Sequence, residues 1–349
     1  MFRRFCIAFI SISLSLILLA AGTVFVFDPF SVYHKYNDFT EIIYQMPYYQ
    51  NTGIAKNASY DTLITGTSMT QNFRAWWFDD AFDCHAIRLS FDGGILSDFE
   101  ALLDSAISNN HDLETIYFGL DNYIITSDSN LNDISNRVPT YLIDKNPLND
   151  VKYLLNKDVL FQYIPTQLSY KRSETYDFYE MHCWDTQNPT YSEKSVLDLY
   201  VMPQKEDCYS EDYFSDGEKN TAEVLTAFVK ENPNIQFVFF APPYSVLYWY
   251  TLQTEGKLDA TLSSMSHVYK ALLQYPNVRL FYFQNDFDTI SNLANYKDDT
   301  HYRTEINQKM LHCFSTDEYQ LNSENCDSVL AEMKQYVLQF DYDKVFERK

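Results

Sequence analysis

No Cys-x-x-Cys pair, internal repeat or low-complexity linker occurs in this chain of 349 residues, and basic residues are scarce, 26 against 48 acidic ones. Without paired cysteines, a zinc ribbon or a thioredoxin-like redox motif is excluded. Without repeats, solenoids and propellers are excluded, and no linker marks off separate domains. His85, His111, His182 and His267 are scattered without ligand spacing, so no metal and no cofactor is assigned. Setting aside Arg3 and Arg4 leaves 24 basic residues beyond position 27 against all 48 acidic ones, a balance of −24. A surface of that sign repels phosphate backbones, which removes nucleic acid from the partners. It also leans the substrate towards neutral or zwitterionic species, since polyanions meet the same repulsion at low salt unless a local basic pocket or divalent ions offset it.

Charge is missing altogether from one long stretch. Met1-Phe2-Arg3-Arg4 leads into an uncharged run from Phe5 to Phe27, rich in Ile, Leu, Phe and Val and long enough to span a bilayer. Arg3 and Arg4 before it and Asp28 after it predict a cytoplasmic tip and a transmembrane anchor over residues 1–27, with everything downstream extracytoplasmic. A cleaved signal peptide is the alternative, because Leu19-Ala20-Ala21-Gly22 offers small residues; continuation of the run to Phe27 favours a retained anchor. Cys6 lies in this segment, leaving Cys84, Cys183, Cys208, Cys313 and Cys326 outside, an odd number. Cys183 with Cys208, and Cys313 with Cys326, are near enough in sequence to pair in an oxidising compartment, although spacing establishes neither.

Residues 28–60 are aromatic and unpatterned, punctuated by Pro47 and Gly53, and read as a stalk folding back onto a domain that occupies 61–349. Strand-like runs at 62–66, 86–91, 115–120, 236–240 and 278–283 alternate with helical ones at 69–82, 96–109, 221–231, 258–274 and 303–314, and 328–346 reads as a last helix. That alternation predicts an α/β fold, a doubly wound and mostly parallel five-stranded sheet. The pattern breaks at about 124–217, where only 151–170 looks helical; this is expected to be a large insertion covering the sheet edge or the mouth of a site. Ligands bind beyond the carboxyl ends of strands in such sheets. Ser68 follows the first strand and Asp298-Asp299-Thr300-His301 follows the last, so the two loops can meet.

A serine hydroxyl becomes a nucleophile at neutral pH when a histidine takes its proton and a carboxylate orients that histidine. Ser68 near the start and Asp298-x-x-His301 near the end supply all three. In that order and spacing they resemble the SGNH/GDSL hydrolase superfamily, closest to its membrane-anchored cell-envelope branch, related to proteins of polysaccharide O-acetylation and teichoic-acid D-alanylation. The resemblance covers the chain from about Asp61 to the final helices and implies a flavodoxin-like sheet. It also implies a catalytic triad of Ser68, His301 and Asp298, with oxyanion donors from a Gly and an Asn block. Gly93, in Phe91-Asp92-Gly93-Gly94, matches the first. The second departs from the family pattern: Gly119-Leu120-Asp121-Asn122 puts Asp121 where the Asn belongs and Asn122 one position late. Gly66-Thr67-Ser68 stands in place of Gly-Asp-Ser, a change outside the triad.

Each residue also has a plainer role. Ser68 suits the cap of a helix starting at Met69, whose dipole would add to an oxyanion site, and Asp298 or His301 suits the cap of the helix near Arg303. Asp299 rivals Asp298 but lies two residues from the histidine instead of three. Ala241-Pro242-Pro243-Tyr244 is a stiff turn and a candidate pocket wall, and Trp76, Trp77 and Trp249 suit a core or membrane interface better than sugar stacking. Asn57-Ala58-Ser59 is a glycosylation acceptor only in a eukaryotic secretory route. The expected function is an extracytoplasmic esterase or O-acyltransferase acting on an acylated cell-envelope glycan or related ester. The alternative is an inactive SGNH-like binding or assembly factor of the envelope, with envelope-assembly proteins as its partners.

Overall fold

In the computed structural model, residues 2–35, 46–127, 137–144, 146–169 and 182–348 are described. Five apolar runs, buried along nearly their whole length, form parallel strands: β1 Thr62–Gly66, β2 Ala86–Ser90, β3 Thr115–Gly119, β4 Gln236–Ala241 and β5 Val278–Tyr282. Side chains buried on both faces of a parallel sheet explain why these runs are largely apolar. The sheet has six strands where five were expected. β6 Gln320–Leu321 pairs antiparallel with β5 and makes the sheet mixed, in the order β2-β1-β3-β4-β5-β6. The Asp-x-x-His loop therefore follows the fifth strand and not the last.

The longer helices are α1 Phe2–Phe27, α2 Pro47–Asn57, α3 Ala75–Phe82, α4 Leu96–Asn109, α5 Ser215–Glu231, α6 Val246–Thr254, α7 Leu258–Leu272, α8 Thr304–Thr316 and α9 Cys326–Gln339. Two expected helices are broken. Residues 69–74 form no α-helix, and only a single 3-10 turn, Ser68–Thr70, follows β1 before the helix that starts at Ala75. The last helix divides at Phe340, where Asp341 caps a separate turn, Tyr342–Phe346, by accepting the Lys344 N–H.

The chain forms two compact units. The larger, residues 60–100, 112–135 and 182–349, contains the whole sheet. Its core includes Leu63, Ile64, Ile116, Phe118, Phe239, Phe240, Leu280 and Phe281. The smaller, residues 1–59, 101–111 and 136–181, includes α1, the one helix among the described residues long and apolar enough to cross a membrane. Its core joins Val24, Phe30, Val32, Leu142, Tyr153, Val159 and Ile164. Asp28, the first acid after the apolar run, accepts the backbone N–H groups of Val32, Tyr33 and His34 at 2.7–3.0 Å and so turns the chain as α1 ends. Of the expected insertion, 137–169 belongs to this unit and 182–217 to the sheet unit. Among the described residues, which include every cysteine, no disulfide forms; Cys183 is buried against Arg74 while Cys208 is exposed.

Candidate active site

β1 has β2 on one side and β3 on the other, so strand order reverses at its carboxyl end, the point where open α/β sheets bind ligands. The chain leaves the sheet there through Gly66, at φ +145°. A Cβ at Gly66 would lie 2.6 Å from the Thr70 methyl and 3.1 Å from the Gly119 carbonyl, so only glycine lets the loop fold this closely over β3. Thr67 then caps the 3-10 turn that presents Ser68. A turn of three residues carries no appreciable macrodipole, which removes the field expected from a helix starting at Met69.

The turn is held from several directions. Thr70 Oγ1 lies 2.7 Å from Ser90 Oγ at the end of β2, Trp184 Nε1 donates to the Ser68 carbonyl at 2.9 Å, and Tyr302 Oη donates to the Met69 carbonyl at 2.7 Å. Buried Arg88 donates to the Gln71 carbonyl, and Arg74 donates to the Asn72 carbonyl and pairs with Asp185 at 2.9 Å. These bonds replace the helical ladder that residues 69–74 lack.

The opposite loop is equally constrained. An antiparallel bridge joins Tyr296 to Tyr302, and Asp298 accepts the N–H groups of Thr300 at 3.0 Å and His301 at 2.7 Å. The same carboxylate lies 2.9 Å from His301 Nδ1. The three-residue spacing matters for this reason: one carboxylate closes the turn and reaches the ring. A carboxylate oxygen can only accept, so Nδ1 carries the proton and Nε2 is left as an acceptor. Nε2 lies 2.9 Å from Ser68 Oγ, across 233 positions of sequence. Burial works to raise the pKa of Asp298, but hydrogen bonds and charge from His301 and the two amides outweigh it and hold the carboxyl below its usual range. Both Asp298 and His301 keep part of their side chains open to solvent, 29% and 25%. The Asp299 backbone carbonyl accepts from the Ser245 N–H and Oγ, while the ring contact is made by Asp298.

Ser68, His301 and Asp298 are thus brought together; Asn122 is not. Its side chain is fully buried, the amide oxygen accepting from Gln284 Nε2 at 2.9 Å and the amide nitrogen facing Gln284 Oε1 at 3.4 Å and bonded to Tyr248. Gly93 stands exposed at the left-handed corner, φ +53°, of the turn after β2. The Ser68 N–H has no acceptor among the described residues. Asp121 accepts from Thr67 Oγ1 at 2.7 Å and from Tyr244. It is fully buried, and burial raises its pKa to about 6 against the lowering effect of those two hydroxyls. The two departures from the family pattern, Thr67 and Asp121, therefore bond to each other. The Pro242-Pro243-Tyr244 turn reaches this pair directly and is fixed by Tyr296 Oη on the Pro243 carbonyl at 2.8 Å.

Trp184 is the neighbour that sequence reasoning missed. Its ring stands edge-on to His301, centroids 5.5 Å apart, with Lys297 Nζ 4.0 Å from the indole centroid. It sits in a stretch without periodicity, so no local signal marks it. Trp249, by contrast, is wholly buried, and Trp76 and Trp77 pack on each other. No cluster of His, Cys, Asp or Glu suited to a metal occurs among the described residues. Compared with family models, curated proteins and solved structures, the chain matches none of them significantly.

Proposed function

We propose that the chain is a serine esterase or O-acyltransferase of the SGNH/GDSL type with a flavodoxin-like sheet. On this reading α1 holds it in the membrane, and it acts outside the cytoplasm on an acylated cell-envelope glycan or a related ester. The carrying observation is the continuous hydrogen-bond chain from Ser68 Oγ through His301 to Asp298. Ser68 Oγ attacks the ester carbonyl carbon while its proton passes to His301 Nε2. Asp298 keeps the imidazole in the tautomer that can accept it and stabilises the imidazolium. The Ser68 N–H faces the charge that develops on the carbonyl oxygen, and one such donor can be worth roughly 3 kcal/mol in the transition state. The imidazolium returns the proton to the leaving alcohol, and an acyl-serine remains. Water then completes hydrolysis, or a sugar hydroxyl takes the acyl group, with His301 again accepting the incoming proton.

A second reading, an inactive binding or assembly factor of the envelope, draws on the buried Asp121 at the Asn position and the sequestered Asn122. A fluorophosphonate probe separates the two. Wild type should label stoichiometrically, Ser68→Ala not at all, and His301→Ala more slowly by several orders of magnitude. An inert Ser68 in a folded, monodisperse protein overturns the enzyme reading in favour of the factor.

A further inference from the structure

The smaller unit buries some of its apolar side chains and exposes others. Tyr153, Val159 and Ile164 turn inward onto Val24, Phe30 and Val32. Leu148, Val151, Leu155, Phe161 and Leu168, from the same short stretch of chain, are exposed by 83, 48, 42, 76 and 64%. A concentration of exposed large apolar residues marks a surface that meets something other than water.

What covers it follows from depth. Phe5–Phe27 holds no charged residue, and at 1.5 Å per residue it spans about 34 Å, close to the roughly 30 Å of a bilayer's hydrocarbon. Phe27 then lies at the boundary, and Val24, three residues earlier, lies about 4.5 Å nearer the bilayer centre. Val24 is fully buried among Tyr153, Val159 and Ile164, and the Phe27 carbonyl accepts from Gln167 Nε2 at 3.2 Å. Residues packed on Val24 cannot stand clear of the membrane if α1 is in it. Lateral elements seated about 5–10 Å into the headgroup and acyl boundary suit this position. Tyr33, Tyr49, Tyr141 and Tyr163, half-buried around the same cluster, are of the type that favours that boundary.

We propose that residues 146–169 form a second, non-spanning membrane attachment, a foot whose exposed Leu, Val and Phe side chains enter the upper acyl region of the leaflet from which α1 emerges. The inference rests on the reading of α1 as a membrane anchor. Its occupant is the lipid bilayer itself, through continuity with that helix. The foot would fix the anchor's exit to the bilayer surface, so that the chain after Phe27 starts parallel to the membrane.

The test uses the full chain in phosphatidylcholine vesicles containing lipids brominated either near the glycerol end or near the methyl end of the acyl chain. Two exposed positions receive a tryptophan, Leu14→Trp in the middle of α1 and Phe161→Trp in the foot, and each is read as the difference from the parent protein. The expected result is loss of the added Leu14→Trp emission in the deep-brominated vesicles and loss of the added Phe161→Trp emission in the shallow ones. If Leu14→Trp is quenched and Phe161→Trp is not, the foot is overturned and the anchor stands. If neither is quenched, the anchor reading fails and the foot fails with it.

Discussion

Asp121 has its carboxylate surrounded by protein, with Thr67 and Tyr244 both donating to it. Because burial raises its pKa to about 6, the folded protein holds a proton there that an unfolded chain releases near about pH 3.9. Between those values the native state binds more protons, so stability falls as pH rises through the window and levels off above about 6. Asp121→Asn keeps a hydrogen-bonding side chain without the charge. Its melting temperature should match wild type near the bottom of the window and exceed it above the top, by the equivalent of roughly 2–3 kcal/mol. Thermal melts on both sides of the window check this, and a variant less stable at neutral pH would mean that the two hydroxyls outweigh burial. At the same scale, the spacing of Asp298 and His301 was legible because it is a local rule, one carboxylate serving two amides and a ring. The burial of Asn122 was not legible, because its partners Gln284 and Tyr248 come from far along the chain.

Local elements show where periodicity informs and where it is silent. β1 to β5 were readable because burial on both faces forces a run of apolar residues. β6 is two residues long and has no period to read. Residues 69–74 read as the start of a helix, but side chains of Tyr302, Arg88 and Arg74 take up the carbonyls of Met69, Gln71 and Asn72 instead. The close approach of β1 and β3 at Gly66 makes a sharper demand than any of these patterns. Gly66→Ala must adopt a backbone angle that costs about 1–3 kcal/mol, and its methyl must also displace Thr70. The expected outcome is a loss of at least about 2 kcal/mol in a denaturant melt, together with slower probe labelling of Ser68. Unchanged labelling would show that the nucleophile turn tolerates a shifted Thr70.

For the molecule as a whole, charge is the property that composition alone settles. Residues 28–349 carry 24 basic and 48 acidic side chains, and on the proposed chemistry this field acts on the substrate before it reaches Ser68. At about 0.01 M salt, where the screening length is about 30 Å, kcat/KM for a neutral aryl ester should exceed that for an anionic ester of equal reactivity. The gap should narrow towards about 1 M, where screening falls to about 3 Å. A salt-independent ratio would mean that local cations, such as Lys297 over the Trp184 ring, set the potential there. The division into two units, by contrast, was not legible, because residues 137–169 carry no pattern that assigns them to the unit built around the end of α1.

Trp184 touches both halves of the candidate site, its N–H on the Ser68 carbonyl and its ring against His301. An indole loses emission when a neighbouring imidazole becomes cationic, so this residue is a native optical gauge of the proton that the proposed reaction moves. The arrival and departure of that proton could be followed without a label as the emission difference between wild type and Trp184→Phe, since three other tryptophans also emit.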